Sequence, residues 1–409
     1  MASSPYYIIQ IKESGRNITN YVTNLHYEDC IKEDDLVELK IDGATLELID
    51  SDDFIVGNHV IYSFGLGERV QSGQRLAVIK DIDVDYAKTI SMTIKCRDTG
   101  FYMKKETSNK VYTNKTSSQI VSDICNLYGY VPNIDESTFV HKSISQGNKT
   151  FHQFCNELAK KEGSNGKDGS FEFYVRGNEL YFQKRNLKKD SKRLFTYGDG
   201  NDIVKYFNPS YSQENEGKSD SVTVAGIDKE TGEQFTSKAG SKSNPETALG
   251  KVQHSFDWKG KEVGISNPAP IGEVITTGKN IAVPVDDKVA ADKITSASQK
   301  DANKSQLQME MGIDLDPTIN AGDIITVSGV AKKHSGNWYV TKVVHQIGSG
   351  ASTVISADKN ASNKSLTNNT AKTSTNTSQN NDVNETKGKN SQEQVKKIHS
   401  YNWEGKEKK

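Results

Sequence analysis

Midway along the chain the spacing of apolar residues changes, and β-like sequence flanks the change on both sides. Thr116-Ser117-Ser118-Gln119 fits a capping box, in which a Thr hydroxyl and a Gln amide satisfy backbone donors at a helix start. Behind it Ile120, Val121, Ile124, Cys125 and Tyr128 share one helical face. Gly129 supplies the stop. Thr150-Phe151-His152-Gln153 repeats the cap. Phe151, Phe154, Cys155, Leu158 and Ala159 then form an apolar stripe, with Lys160 and Lys161 in the last turn and Gly163 ending it. Phe171 to Val175, a Gly177-Asn178 turn and Glu179 to Gln183 predict a hairpin. The expectation for residues 104–192 is a compact α+β unit of two helices and a hairpin.

Before this unit, short apolar runs alternate with turn residues. Tyr6 to Lys12, Leu36 to Ile41, His59 to Phe64, Leu76 to Ile82 and Ile90 to Cys96 read as strands, and Asp83 to Lys88 as a polar connection. Such spacing indicates a sandwich or small barrel. After the unit, strands are expected at Leu194 to Tyr197, Ser221 to Ala225, Gly272 to Pro284, Asp323 to Ser328, Asn337 to Ile347 and Ser352 to Ala357. Asp228 to Ser266 is polar and rich in Gly, Lys and Ser, and predicts a long loop with a hairpin near Trp258. Asp287 to about Leu307 has weak helical amphipathicity. From Ala361 on, Asn, Ser, Thr, Lys and Gln dominate, a composition that cannot bury enough surface to offset chain entropy.

The two β regions resemble each other. Val56-Gly57-Asn58-His59-Val60-Ile61 precedes Leu76-Ala77-Val78-Ile79-Lys80, much as Ala321-Gly322-Asp323-Ile324-Ile325-Thr326 precedes Trp338-Tyr339-Val340-Thr341-Lys342. The step from Val78 to Met92 equals that from Val340 to Val354. Identity is low, but the pattern suggests one architecture used twice, with the α+β unit between the copies.

Composition narrows the function classes. The 409 residues exceed one ordinary domain. The 52 basic residues against 53 acidic ones leave no basic excess for nucleic acid. Hydrophobic content is 34% and mean hydropathy is -0.68, with no run long enough for a membrane span. The start, MASSPYYIIQIK, lacks a basic n-region and a long apolar core, so it is expected to be a strand and not a signal peptide. Cys30, Cys96, Cys125 and Cys155 form no Cys-x-x-Cys pair and are expected as reduced core thiols. Synthesis and assembly in a cytoplasm follow as the expectation.

Candidate chemistry is thin. Asp98-Thr99-Gly100 matches the aspartic-protease tripeptide, but that dyad needs a second such loop, none exists, and Arg97 precedes the Asp. A strand-ending turn is the expected role. The eight histidines include no His-x-x-x-His and no zinc-spaced Cys/His cluster. His345 follows an apolar run and is expected at an edge or interface. Cys155 lies one helical turn from His152, yet on the apolar stripe, where a thiol stays protonated. Gly65-Leu66-Gly67 lacks the third glycine of a phosphate loop, and the sequons at Asn114 and Asn148 sit at helix caps. No catalytic, metal-binding or cofactor-binding residue is assigned, and no cofactor is expected.

The chain resembles the phage late control D proteins, which are baseplate hubs of contractile tails, and more distantly the hub portion of type VI secretion spike proteins. The resemblance rests on Cys96-Arg97-Asp98, the helix from Ser118 to Gly129, and Phe151 to Gly163. It continues through the hairpin Phe171 to Phe182 and Gly322-Asp323 followed by Gly336-Asn337-Trp338-Tyr339-Val340. It spans roughly residues 5 to 358. It implies an α+β, β-rich fold of two tube-like β-barrel domains (1–103 and 193–360, the second with a polar insertion at about 228–266), the inserted domain at 104–192 and the tail at 361–409. It further implies a non-enzymatic homotrimer with pseudo-sixfold symmetry that joins a hexameric tail tube to a trimeric central spike. The implied partners are the tail tube protein, the central spike protein and other baseplate or tape-measure proteins, in the tail of a Gram-positive phage, prophage or tailocin. No spike is fused after the second barrel, so spike and tube are expected in trans. The alternative is a tail-associated peptidoglycan hydrolase or cell-surface binding protein with its groups in the 228–266 insertion.

Overall fold

The computed structural model describes residues 4–67, 70–162, 171–187, 189–200, 203–211, 221–227, 231–240 and 307–359, with a few short stretches between 249 and 295. The first third holds β1 (Pro5–Ile11), β2 (Asn24–Cys30), β3 (Leu36–Asp42), α1 (Leu46–Ile49), β4 (His59–Leu66), β5 (Val70–Gln71), β6 (Arg75–Tyr86) and β7 (Ile90–Arg97). There follow α2 (Gly100–Met103), β8 (Val111–Thr116), α3 (Ser117–Tyr128), β9 (Val131–Ile134), β10 (Val140–Ser145), α4 (Phe151–Glu162), β11 (Phe171–Arg176) and β12 (Glu179–Lys184). The last part holds β13 (Arg193–Thr196), β14 (Val204–Tyr211), β15 (Ser221–Ile227), β16 (Gln234–Gly240), β17 (Ser255–Phe256), β18 (Glu262–Gly264), β19 (Gly278–Ile281), β20 (Leu307–Asp314), β21 (Ile324–Ser328), β22 (Gly336–Ile347) and β23 (Ala351–Lys359). The fold is α+β and β-rich, as the sequence predicts.

One topology occurs twice. In the first third the strands pair in the order β1-β4-β6-β7-β3-β2, and in the last part in the order β13-β21-β22-β23-β20-β14. Ranked along the chain, with the two-residue β5 set aside, each set reads first, fourth, fifth, sixth, third, second. The ends differ, because β1 pairs β4 antiparallel whereas β13 pairs β21 parallel. The two sets are one continuous sheet, since β2 also pairs the outer half of β22, from Leu25↔Ile347 to Cys30↔Lys342.

The repeated segments make the same backbone bonds. Gly57 donates its N–H to the Ile79 carbonyl at 2.8 Å while Ile79 donates to Asn58; Gly322 donates to Val340 at 2.8 Å while Val340 donates to Asp323. Gly57 (φ 105°) and Gly322 (φ 89°) both take a left-handed backbone that a β-carbon would strain, which explains the matching glycines. Each long strand then bulges one residue later, at Lys80 opposite β7 and at Thr341 opposite β23. The first strand of the sequence repeat is therefore aligned correctly. Its second strand is one residue out, because Ile79, not Val78, corresponds to Val340.

Three apolar cores accompany this arrangement. The first gathers Ile9, Leu25, Val60, Phe64, Ile79 and Ile94; the second Ile120, Ile124, Phe154, Leu158, Phe173 and Phe182; the third Met309, Met311, Ile325, Trp338, Val343 and Ile355. A smaller cluster including Ile31, Tyr174, Ala321, Ile324 and Tyr339 draws residues from all three parts.

Several expectations need correcting. Asp83 to Tyr86 is not a connection but the continuation of β6, whose Ile82 and Val84 pack on the first core. Strands β2, β14 and β20 were not expected, and Leu307 starts β20 instead of ending a helix. Within the expected helix, Lys288, Ala291, Asp292 and Thr295 are helical and the remaining positions before Leu307 lie outside the described residues. Residues 104–192 hold, besides two long helices and the hairpin, the pair β8–β10 and β9 parallel to β12. Within 228–266 the expected hairpin near Trp258 is present as the β17–β18 pair, but β16 was not expected: it pairs β15, which precedes the segment. Of the strand expected at Gly272 to Pro284, the described residues show β19. The polar tail and Gly163 lie outside the described residues.

Candidate functional site

A buried polar junction ties the three parts together. Asp29, on β2 and 1% exposed, accepts from Arg176 Nε (3.1 Å) and Nη2 (2.8 Å) at the end of β11, and from the Ala321 N–H (3.0 Å) before β21. Arg176 also donates to the Ala321 carbonyl (2.8 Å) and lies over the stacked rings of Tyr174 and Tyr181. Arg75, at the start of β6, lies over the Tyr27 ring at 4.6 Å and donates to Tyr27 Oη and Asn320 Oδ1. One aspartate and two guanidinium groups thus link β2, β6, β11 and the turn before β21. Burial works against the charge of both arginines. For Arg176, Asp29 together with Tyr174, Tyr27 and Asp35 outweighs it and the guanidinium pKa lies well above its usual value; Tyr27, Asp29 and Tyr62 together raise that of Arg75.

Beside it Asp35 and Asp98 form a second buried pair. Asp98 accepts from the backbone N–H of Asp35 (2.6 Å) and of Gly100 (2.6 Å); Asp35 accepts from Tyr27 Oη (2.9 Å) and Cys30 N (3.1 Å). Burial and then the Asp29 charge push Asp35 up to about 7, and burial with Asp35 raises Asp98 well above the carboxylate range. Thr99 donates from both N and Oγ1 to the Gly177 carbonyl, and Tyr130 Oη donates to the Thr99 carbonyl (2.7 Å). The Asp98-Thr99-Gly100 tripeptide is therefore a clasp between the first sheet and the β11–β12 hairpin. Both carboxylates are buried and their oxygens are occupied by backbone and tyrosine donors, which leaves no exposed dyad for a water.

His345 lies inside the sheet, not at its edge. It faces Tyr27 across the β2–β22 seam, with ring centroids 6.0 Å apart, and its Nδ1 is 3.0 Å from Thr353 Oγ1. Burial, followed by the Arg75 charge, lowers its pKa to about 3. Cys155 is fully buried and its thiol is raised by burial, and His152, facing Phe173, is pushed by burial down to about 4. All four cysteines are free and buried.

Sequence reasoning missed one constellation. Ser117 Oγ donates to Glu162 Oε1 (2.7 Å) and lies 2.8 Å from His141 Nε2, joining α3, α4 and β10. A nucleophilic triad needs the histidine between hydroxyl and acid. Here the hydroxyl lies between them and is completely buried, so the group is an internal clamp. The three residues are far apart in sequence and nothing local signals them. A cleft of about 870 Å³ lies between α4, β11 and the first and last sheets, lined by Lys32, Lys149, His152, Glu157, Arg185 and Asp358 among others. Lys149 and Lys161 bond Glu157, and the Arg185 guanidinium lies 4.1 Å from the Tyr339 ring centroid. Among the described residues no group of three or more His, Cys, Asp or Glu could hold a metal, and no helix is long and apolar enough to cross a membrane.

Comparison with solved structures places this architecture. A tail protein from Neisseria meningitidis MC58 matches with a TM-score of 0.63 at 9% identity, over 87% of this chain and 97% of that one. The chain has the fold of a phage-type tail protein. The 43 kDa tail protein of prophage MuSo2 from Shewanella oneidensis gives 0.59 at 13% identity, over 87% and 98%. A chain of the lidded Francisella PdpA-VgrG complex gives 0.53 at 10%, over 90% of this chain and 54% of that one. A sequence model described as YQBQ-like matches residues 77–261. No curated protein matches.

Proposed function

We propose that this chain is the structural hub of a contractile, phage-type tail baseplate and works by assembly, not catalysis. The observation that carries the reading is the duplicated six-strand topology within one continuous sheet. A chain with two like units can present six of them from three copies, so a threefold ring can meet a sixfold tube. The fold shared with tail proteins and with a chain of the Francisella PdpA-VgrG complex supports the setting. We take the three apolar cores as the two tube-like domains (1–103 and 193–360) and the α+β domain between them (104–192). Tail tube, central spike and other baseplate proteins are the proposed partners, and the virion or tailocin tail the proposed location.

Native mass spectrometry tests the reading. The full chain should give trimers, alone or with spike and tube proteins added; a persistent monomer that binds neither would overturn it. A zymogram addresses the hydrolase alternative: no clearing of peptidoglycan is expected, and clear lysis would count against a purely structural role.

A further inference from the structure

The seam that joins the two six-strand sets inside the chain has a counterpart whose two sides have no strand partner there among the described residues. In the seam, β2 pairs the outer half of β22. The repeat identifies the equivalent strands. Leu25 pairs Leu39, which pairs Ile94; Ile94 corresponds to Ile355, which pairs Met311, which pairs Phe207. So β14 is the counterpart of β2, with Phe207 in the place of Leu25. The outer half of β6 is the counterpart of the outer half of β22, with Tyr86 in the place of Ile347. Among the described residues β14 pairs only β20, and residues 81–86 of β6 pair only β7.

We propose that β14 of one copy pairs antiparallel with the outer half of β6 of the next copy, in the register of the internal seam. That register sets Phe207 opposite Tyr86, Asn208 opposite Asp85, Pro209 opposite Val84 and Ser210 opposite Asp83. Apolar residues meet apolar ones on the core face, and polar residues meet polar ones outside. A slip by one residue sets Phe207 against Asp85 and loses the match. Burial supports the pairing. In the internal seam Leu25, Tyr27, His345 and Ile347 are buried, whereas Tyr86 is 64% exposed and Ile82, Val84, Phe207 and Pro209 are only half-buried. Pro209 lacks an N–H and costs the ladder at most one bond. The two edges differ, so the contact is head-to-tail and generates a ring or a filament. The inference rests on the hub reading for closure at three copies; the edges and register come from this chain's own repeat.

Disulfide trapping tests it on the full chain. The double variant Asn208→Cys with Asp85→Cys should give, on oxidation, a ladder of cross-linked multimers on a denaturing gel, the native cysteines being buried. Asn208→Cys with Asp81→Cys, four residues out of register, should give none. Tyr86→Lys alters an exposed side chain, and should abolish the multimers seen by native mass spectrometry without changing Tm. Multimers that persist with neither cross-link nor sensitivity to Tyr86→Lys would overturn the pairing and leave the hub reading standing. A monomer under all conditions, including added spike and tube proteins, would overturn both.

Discussion

At the residue scale the Asp29–Arg176 pair carries the clearest energetic consequence. A buried ion pair adds little net stability, because desolvation cancels most of the attraction, but removing one partner strands the other charge. Arg176→Met should therefore destabilise the chain by about 3–5 kcal/mol. Urea melts should also show Arg176→Met with Asp29→Leu costing less than the sum of the single changes. The titration of the neighbouring groups has a definite sign. Asp35 is raised to about 7, so its folded form holds a proton that the unfolded chain releases, and its contribution is lost as pH rises from about 4 to 7. His152 and His345 are lowered to about 4 and about 3, so theirs is lost as pH falls below about 6.5. The two effects oppose each other between pH 4 and 6.5. Asp35→Asn leaves the histidines unopposed, and its Tm should fall more steeply on acidification than that of the parent. No local sequence signal marked Asp29, Arg75 or Arg176, since each finds its partner more than 40 positions away.

At the element scale the helices were legible because their signals are local. Both capping boxes form: Thr116 with Gln119 and Thr150 with Gln153 exchange side-chain and backbone bonds, and Gly129 closes α3 in a left-handed conformation (φ 69°). Thr116→Ala should cost about 1 kcal/mol, measured by chemical denaturation. Thr116→Ser keeps the capping oxygen, so it should restore most of the loss. Strands β2, β14 and β20 were not legible. Asn24 to Cys30 alternates Leu25 and Tyr27 with polar residues, but Asp29 stands where the alternation calls for an apolar residue, and its burial is made tolerable by Arg176 and the Ala321 N–H. The end of β6 is the instructive error. Asp81-Ile82-Asp83-Val84-Asp85-Tyr86 alternates with period two, yet three aspartates lower its hydrophobicity enough to suggest a connection.

At the scale of the whole molecule the chain is one topology used twice around an α+β unit. The repeat was visible in sequence where the backbone demands it, at Gly57-Asn58 and Gly322-Asp323, which make the same pair of bonds in each copy. It was one residue off in the next strand, because only the ladder shows that the bulge falls at Lys80 and at Thr341. By itself, the sequence determined the α+β, β-rich class, the two capped helices, the β11–β12 hairpin and the suggestion of a duplication. These follow from short-range periodicity, caps and turns, which act within a few residues. The tertiary structure alone decided the identical strand order, the β2–β22 seam, the junction at Asp29 and the two edges without a strand partner among the described residues. Those depend on pairings between residues more than 300 positions apart, such as Leu25 and Ile347, and backbone hydrogen bonds carry no residue code by which a strand could name its neighbour.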